Sequence, residues 1–270
     1  MMLAAQAAFA QPAPQRIVSL YPCLDAILVN VAERDQISAL SYYARNPRSS
    51  TIAEIAETLP FTYGTSEEVI AREPDLVLSS RYGPAKTHEA LERLGVPVAL
   101  FDVPLSVKES LGQVREMARL VGHPEHGEAV VTGIERALAE SAPPPGQSPV
   151  SALVFQSNGF VAGEGVLIDE LLNRTGFVNR AADYRMGQFG IVSLELIIAD
   201  PPEALLAGTA DTRGYSWADR VVSHPALKQI AGRMARTEFP EKYLLCGGPV
   251  IAKTARTLAA ARRDIVGGAP

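Results

Sequence analysis

Ser66–Ser80 reads SEEVIAREPDLVLSS, a short amphipathic segment, a proline and an apolar run. Helical spacing over Ser66–Arg72, the break at Pro74 and the β-rich Asp75–Ser80 predict a helix–Pro–strand unit. The unit returns 128 positions later: Glu67, Ile70, Ala71, Pro74, Asp75 and Leu78 recur as Glu195, Ile198, Ala199, Pro202, Glu203 and Leu206. A proline after a helix and an apolar strand are ordinary in any αβ connection. The carboxylate and the Ile-Ala pair are not required by that geometry, and their recurrence points to two similar halves.

Working outward, short apolar runs alternate with amphipathic segments, the pattern of βα units feeding parallel sheets. Strands are expected at Ile17–Leu20, Ile37–Leu40, Asp75–Ser80 and Val96–Phe101, with helices at Asp25–Glu33, Ser66–Arg72 and Thr87–Leu94. Two successive helical patterns, Val107–Val121 and Glu125–Ser141, interrupt the alternation. Pro143–Pro149 (PPPGQSP) then forms a stiff, exposed joint. Alternation restarts with strand Ala152–Gln156, helices Leu167–Asn173 and Leu194–Ala199, strand Ala204–Ala207, helix Pro225–Ile230 and a final helix Val250–Arg263. The expected architecture is α/β: two lobes with parallel sheets, residues 16–122 and 149–270, bridged by one long helix at 123–142, after a leader at 1–15.

The chain has 270 residues, 47% hydrophobic and 20% charged, with a net charge of −5. That composition excludes a disordered chain, and with no basic run there is no footprint for nucleic acid. No stretch approaches the roughly 18 apolar residues of a membrane span, so no membrane insertion is expected. MMLAAQAAFA at positions 1–10 ends in Ala8-Phe9-Ala10, the small-x-small pattern of a signal-peptide tail, and implies export to the periplasm. Its basic n-region is missing, which leaves a stray N-terminal helix as the other reading.

All eight tyrosines and the one tryptophan fall in predicted connections, mostly after strands. Strand carboxyl ends line the crevice of open α/β sheets, and rings there give contact area with a polar tip. A ligand is therefore expected between loops at Tyr21–Cys23 (with Pro22), Tyr42–Tyr43, Tyr63–Gly64 and Arg81–Tyr82 on one side. Phe160, Tyr184–Arg185, Tyr215–Trp217 and Tyr243–Cys246 are expected on the other. Arg45, Arg48, Arg81, Arg185 and Arg213 stand near these rings, and their forks suit anionic oxygens.

Signs of catalysis are weak. None of His88, His123, His126 and His224 sits beside a recognisable nucleophile, and SNGFVAGEG (residues 157–165) lacks the G-x-G-x-x-G order. His123-Pro124-Glu125-His126 has metal-ligand types at close spacing but opens a helix, where such residues are structural defaults; no metal site, catalytic residue or cofactor is expected. Cys23 and Cys246 either pair, if the protein is secreted, or remain two partly buried thiols.

RIVSLYPCLDAIL (16–28), GTSEEVIAREPDLVLSSRYG (64–83), LERLGVPVALFD (91–102), FVAGEGVLIDELLNRTGF (160–177) and GIVSLELIIADPPEALLAG (190–208), in that order, resemble the substrate-binding proteins of ABC importers for cobalamin and ferric siderophores. The resemblance covers nearly the whole chain from Arg16. It implies two lobes that move little about a bridging helix, matched here by Glu125–Ser141, and a monomer that delivers a small-molecule metal chelate to a permease dimer. It also implies that Glu67 and Glu195 dock on permease arginines. Cobalamin binders of this family tend to use several tryptophans, and this chain has only Trp217, so a ferric siderophore is favoured over cobalamin. A haem or tetrapyrrole carrier with an axial Tyr or His, and an α/β enzyme using the same cleft, are the alternatives.

Overall fold

The computed structural model describes residues 12–156, 159–208 and 234–268. Residues 1–11 of the leader, Arg213, Tyr215, Trp217, His224 and the expected helix Pro225–Ile230 lie outside them. The first lobe is a five-stranded, wholly parallel sheet ordered β3-β2-β1-β4-β5, from β1 (Ile17–Ser19), β2 (Ile37–Ser41), β3 (Phe61–Thr62), β4 (Leu76–Ser80) and β5 (Val98–Phe101). Every residue of β1 and β4 is buried, as central parallel strands covered on both faces must be. Parallel neighbours need crossovers. Here these include α1 (Pro22–Val31), α2 (Ala53–Glu57), α3 (Ser66–Ile70) and α4 (Ala85–Arg93).

Two helices follow without a strand between them, α5 (Val107–Leu120) and α6 (Pro124–Ser141). Ser106 caps α5 by accepting from Glu109 N–H, and Pro124 opens α6 at a position where its missing N–H costs nothing. The 18 residues of α6 span about 27 Å. Its stripe Gly127, Val131, Ile134 and Leu138 is buried. At Gly127 a Cβ would lie 2.5 Å from the Ala118 Cβ, so the close α5–α6 crossing depends on glycine there.

The second lobe contains β6 (Val150–Phe155), β7 (Phe160–Ala162), α7 (Leu167–Arg174), β8 (Phe177–Asn179), β9 (Phe189–Ile191), α8 (Leu194–Ala199), β10 (Ala204–Ala207), β11 (Ala235–Glu238) and a final α9 (Val250–Gly267). Its sheet runs β11-β10-β6-β7-β9, with β8 also on β6. The strands β7 and β9 pair antiparallel, a departure from the expected parallel alternation. At three residues each they are too short to carry a period that betrays them.

The internal repeat is topological. Leu76 of β4 pairs with Ile17 of β1, and its counterpart Ala204 of β10 pairs with Ala152 of β6, so each unit delivers its strand beside the first strand of its own sheet. The lobes also share one core. Ile17, Leu28, Val114, Ile134, Val154, Leu206 and Leu258 belong to a single buried cluster, with α6 packed against α1 and α5 on one side and α9 on the other. The proline-rich joint is tethered to this spine by buried Arg262 of α9, which donates to Gly176 O (3.1 Å), Ser148 O (2.9 Å) and Gln147 Oε1.

Candidate functional site

In the first sheet the chain winds outward through β2 and β3, then returns to lay β4 on the other side of β1. The carboxyl ends of β1 and β4 therefore flank a topological switch point, where ligands of open α/β sheets bind. Tyr21 follows β1, and Arg81 and Tyr82 follow β4. Between this edge and the second lobe lies a cavity of about 160 Å³. Tyr21, Phe101 and Leu105 line it from the first lobe, and Phe160, Val166 and Phe189 from the second.

The cavity floor is covalent. Cys23 at the start of α1 and Cys246 ahead of α9 form a disulfide with Cα atoms 5.1 Å apart, which settles the alternative left open by sequence and joins the lobes at the bottom of the cleft. Beside it Gly248 N–H donates to Ser110 Oγ (2.6 Å), and Val107 N–H donates to Glu170 Oε2 (2.8 Å), both across the lobes.

Tyr42, Tyr43 and Tyr63 are brought together beyond the carboxyl ends of β2 and β3, around a small pocket of their own and outside the lining of the inter-lobe cavity. The rings of Tyr42 and Tyr63 stack at 4.8 Å between centroids, with Tyr43 at 6.1 Å from Tyr42 and Phe61 at 5.5 Å from Tyr63. The backbone under Tyr63 is pinned. Glu68 accepts from Tyr63 N–H and the Thr62 hydroxyl (2.7 Å each), Gly64 turns at φ +80°, and the Thr87 hydroxyl donates to Gly64 O (3.1 Å). Tyr63 is nevertheless 65% exposed, a phenol mounted on a rigid loop and open to solvent. Tyr82 is 80% exposed.

On the second-lobe side the aromatic pair is Phe160 and Phe189, stacked at 5.8 Å across the β7–β9 pairing. Several sequence expectations fail here. Tyr184 points inward: it is 7% exposed, packs in the core of the second lobe and donates its hydroxyl to Asp200 O (2.6 Å), with burial pushing its pKa up. Arg185, in the left-handed region at φ 58°, is exposed at the end of that turn. Tyr243 packs on Phe239 against the shared core and does not line the cavity. Among the arginines, Arg81 Nε already meets Asp102 Oδ2 at 3.0 Å, and Arg45 is spent on Ala56 O, Leu59 O and the Phe61 face. The Arg81 pair is solvent-exposed and contributes at most about 1 kcal/mol, so an incoming anion can compete for it.

Sequence reasoning missed Phe189 and the loop 102–105 that close the cavity, whereas Leu244, Leu245 and Cys246, which also line it, fall within the expected Tyr243–Cys246 loop. The first of these loops follows β5 and was reachable by the same strand-end rule; aliphatic loop residues simply carry no conspicuous signal. His88 Nε2 does meet Ser79 Oγ at 2.8 Å, a pairing the sequence did not reveal. Ser79, however, is 1% exposed on β4 and outside the cavity lining, and burial lowers the His88 pKa. The pair is a packed structural contact.

Glu67 and Glu195 are exposed in the first turns of α3 and α8, the two repeat helices. No helix among the described residues is long and apolar enough to cross a membrane.

Two α/β lobes on a helical spine with a ligand-sized cleft between strand ends define an extracytoplasmic solute-binding architecture. A family model for periplasmic binding proteins matches residues 17–232, and the chain belongs to that family. Among solved structures it is similar to the periplasmic haem-binding protein RhuT from Roseiflexus sp. RS-1 (25% identity, 93% of this chain and 98% of that one, TM-score 0.76). It is also similar to a periplasmic haem-binding protein from Pseudomonas aeruginosa (23%, 92% and 92%, 0.72) and to the vitamin B12-binding protein BtuF of Vibrio cholerae (18%, 94% and 98%, 0.68). No curated protein matches. The family is one of solute-binding proteins that partner ABC permeases, not of enzymes, and it works outside the cytoplasm. The disulfide accords with such a compartment.

Proposed function

We propose that this protein captures an iron tetrapyrrole of the haem class in the inter-lobe cleft and delivers it to an ABC importer. The observation that carries the reading is the pairing of two surfaces at the strand carboxyl ends: a pinned, exposed Tyr63 within a tyrosine cluster beyond β2 and β3, and an inter-lobe cavity with no Lys or Arg among the described residues lining it. A phenolate is a hard oxygen donor suited to Fe(III), and an apolar wall suits a flat macrocycle. A polyanionic siderophore needs several fixed cations, and Arg81, even released from Asp102, supplies one. The enclosed 160 Å³ accommodates only part of such a ligand, the rest lying between the open rims. The likeness to RhuT points the same way.

In this reading Tyr63 is the axial ligand, Tyr42 its stacking support, and Phe160 and Phe189 the opposite wall. Glu67 and Glu195 then dock one on each permease subunit. The test is titration of the purified protein with haemin, cobalamin and ferric siderophores, followed by absorption spectroscopy. Stoichiometric haemin binding with a phenolate-to-iron charge-transfer band is expected, with Tyr63→Phe abolishing the band and weakening affinity at least about tenfold. Tight binding of a siderophore or cobalamin without haemin binding would reassign the cargo.

A further inference from the structure

Where the carboxyl end of α1 meets the start of α6, Glu33, His123 and His126 bring one ligand atom each to within 4.8 Å of one another. The imidazoles stack at 4.9 Å with planes 10° apart, and the Glu125 carboxylate stands 3.6 Å from His123 Nδ1 and 4.0 Å from His126 Nε2. The surroundings decide which nitrogens are bare. Gln36 donates its amide N–H groups to Pro14 O (2.7 Å) and Val121 O (3.0 Å), so its Oε1 is the atom that faces His123 Nε2 at 3.0 Å and accepts from Glu33 N–H at 2.9 Å. His123 Nε2 therefore carries the proton. His126 Nδ1 faces Val31 O at 3.1 Å, a pure acceptor, so that nitrogen is protonated as well. The lone pairs left over, on His123 Nδ1 and His126 Nε2, are the two beside the Glu125 carboxylate.

We infer that Glu33, His123 and His126, with Glu125 alongside, form a site for one borderline divalent metal, Zn(II) by preference, separate from the cargo cleft. Two imidazoles whose outer N–H groups are held by a carbonyl and an amide oxygen are ligands already fixed in tautomer and orientation, the outer-sphere arrangement that strengthens metal binding. Imidazole with carboxylate suits zinc, nickel and copper, and poorly suits magnesium or calcium. Tetrahedral zinc needs neighbouring ligand atoms roughly 3.3 Å apart, so the exposed Glu33 side chain closes on the ion by a rotamer change. The positive end of the α6 dipole opposes a cation, which the two carboxylates offset. Cys23, at the opposite end of α1, lines the cavity, so the metal sits about one ten-residue helix, roughly 15 Å, from the cargo floor. Bound there, it staples the α1–β2 connection to the bridging helix. Sequence alone discounts this cluster because Glu33 lies ninety positions from His123.

The test is calorimetric titration of tag-free, chelator-treated protein with Zn(II), together with native mass spectrometry and the visible spectrum of the Co(II) form. One equivalent bound, a raised melting temperature and tetrahedral Co(II) bands are expected, with His126→Gln and Glu33→Gln each weakening Zn(II) at least about tenfold while haemin titration stays unchanged. Absence of stoichiometric uptake, or uptake undiminished in both variants, overturns the site. Glu33 is exposed, so Glu33→Gln keeps the test decisive if the histidine variant fails to fold.

Discussion

The two lobes carry the same helix–Pro–strand unit in the same place, yet carry different aromatic chemistry at their strand ends. The first presents hydroxyl-bearing rings, Tyr21, Tyr42, Tyr43, Tyr63 and Tyr82, beyond the ends of parallel strands; the second presents the phenyl rings of Phe160 and Phe189 on an antiparallel edge. The difference extends inward. Among the described residues each lobe buries one charged side chain, Asp25 in the first and Arg262 in the second. Arg262 is satisfied by neutral oxygens. Asp25 accepts from Ser41 N–H and the Ser41 hydroxyl, yet burial pushes its pKa up to about 7. The duplicated part is the scaffold, while rims and buried charges were set separately.

The largest effect comes from removing what joins the two halves. Replacing Cys23 and Cys246 together by serine frees a loop of 223 residues and is expected to lower stability by roughly 2–5 kcal/mol, read as a fall in melting temperature. Because both lobes contribute to one core, calorimetry of that variant should still show a single transition. Two transitions would mean that the disulfide, and not the shared core, makes the lobes one cooperative unit.

Next in size is a difference in pH response between the lobes. The folded-state pKa of Asp25, about 7, exceeds its unfolded value near 3.8, so the folded chain binds the extra proton between them. Its contribution to stability is thus fully present below about pH 4, is lost as pH rises through about 7, and changes no further above that. Asp25→Asn, a permanently neutral mimic, should flatten the stability profile over this window, with a differential of roughly 2–4 kcal/mol between pH 4 and pH 8 by denaturant titration. Arg262→Met should lower stability without altering the profile. An unchanged slope in Asp25→Asn would show that the carboxyl is ionised throughout.

The smallest effect on the fold is expected where the lobes are most alike. Glu67→Ala with Glu195→Ala should shift stability by no more than about 0.5 kcal/mol and leave cargo affinity intact, while slowing permease association, most visibly at low salt. Single variants that differ strongly would break the symmetry of the two docking points.

Much of the architecture was legible because parallel strands covered on both faces write themselves as uninterrupted apolar runs: LVL at Leu76–Leu78 and ALLA at Ala204–Ala207 need no partner to be recognised. The three-residue β7 and β9 gain their identity only from each other. The clustering of Tyr42 and Tyr63 beyond strand ends followed from their place after strands, but the same rule misdirected Tyr184, whose hydroxyl found a carbonyl inside the lobe. Aromatic identity says that a residue is amphipathic, not which way its loop turns. The cavity wall at Leu105 and Val166 and the pairing of Cys23 with Cys246 depend on proximity that no local pattern encodes.

The disulfide also imposes an order of events on assembly. One partner lies in the first turn of α1 and the other just ahead of α9, so ribosome and translocation machinery must release nearly all of the chain before the second sulfur can reach the first. The cleft floor is therefore the last part of the site to be closed covalently, and only in an oxidising compartment. Up to that moment the bottom of the cleft holds two thiols, and the finished receptacle for cargo exists only on the far side of the membrane.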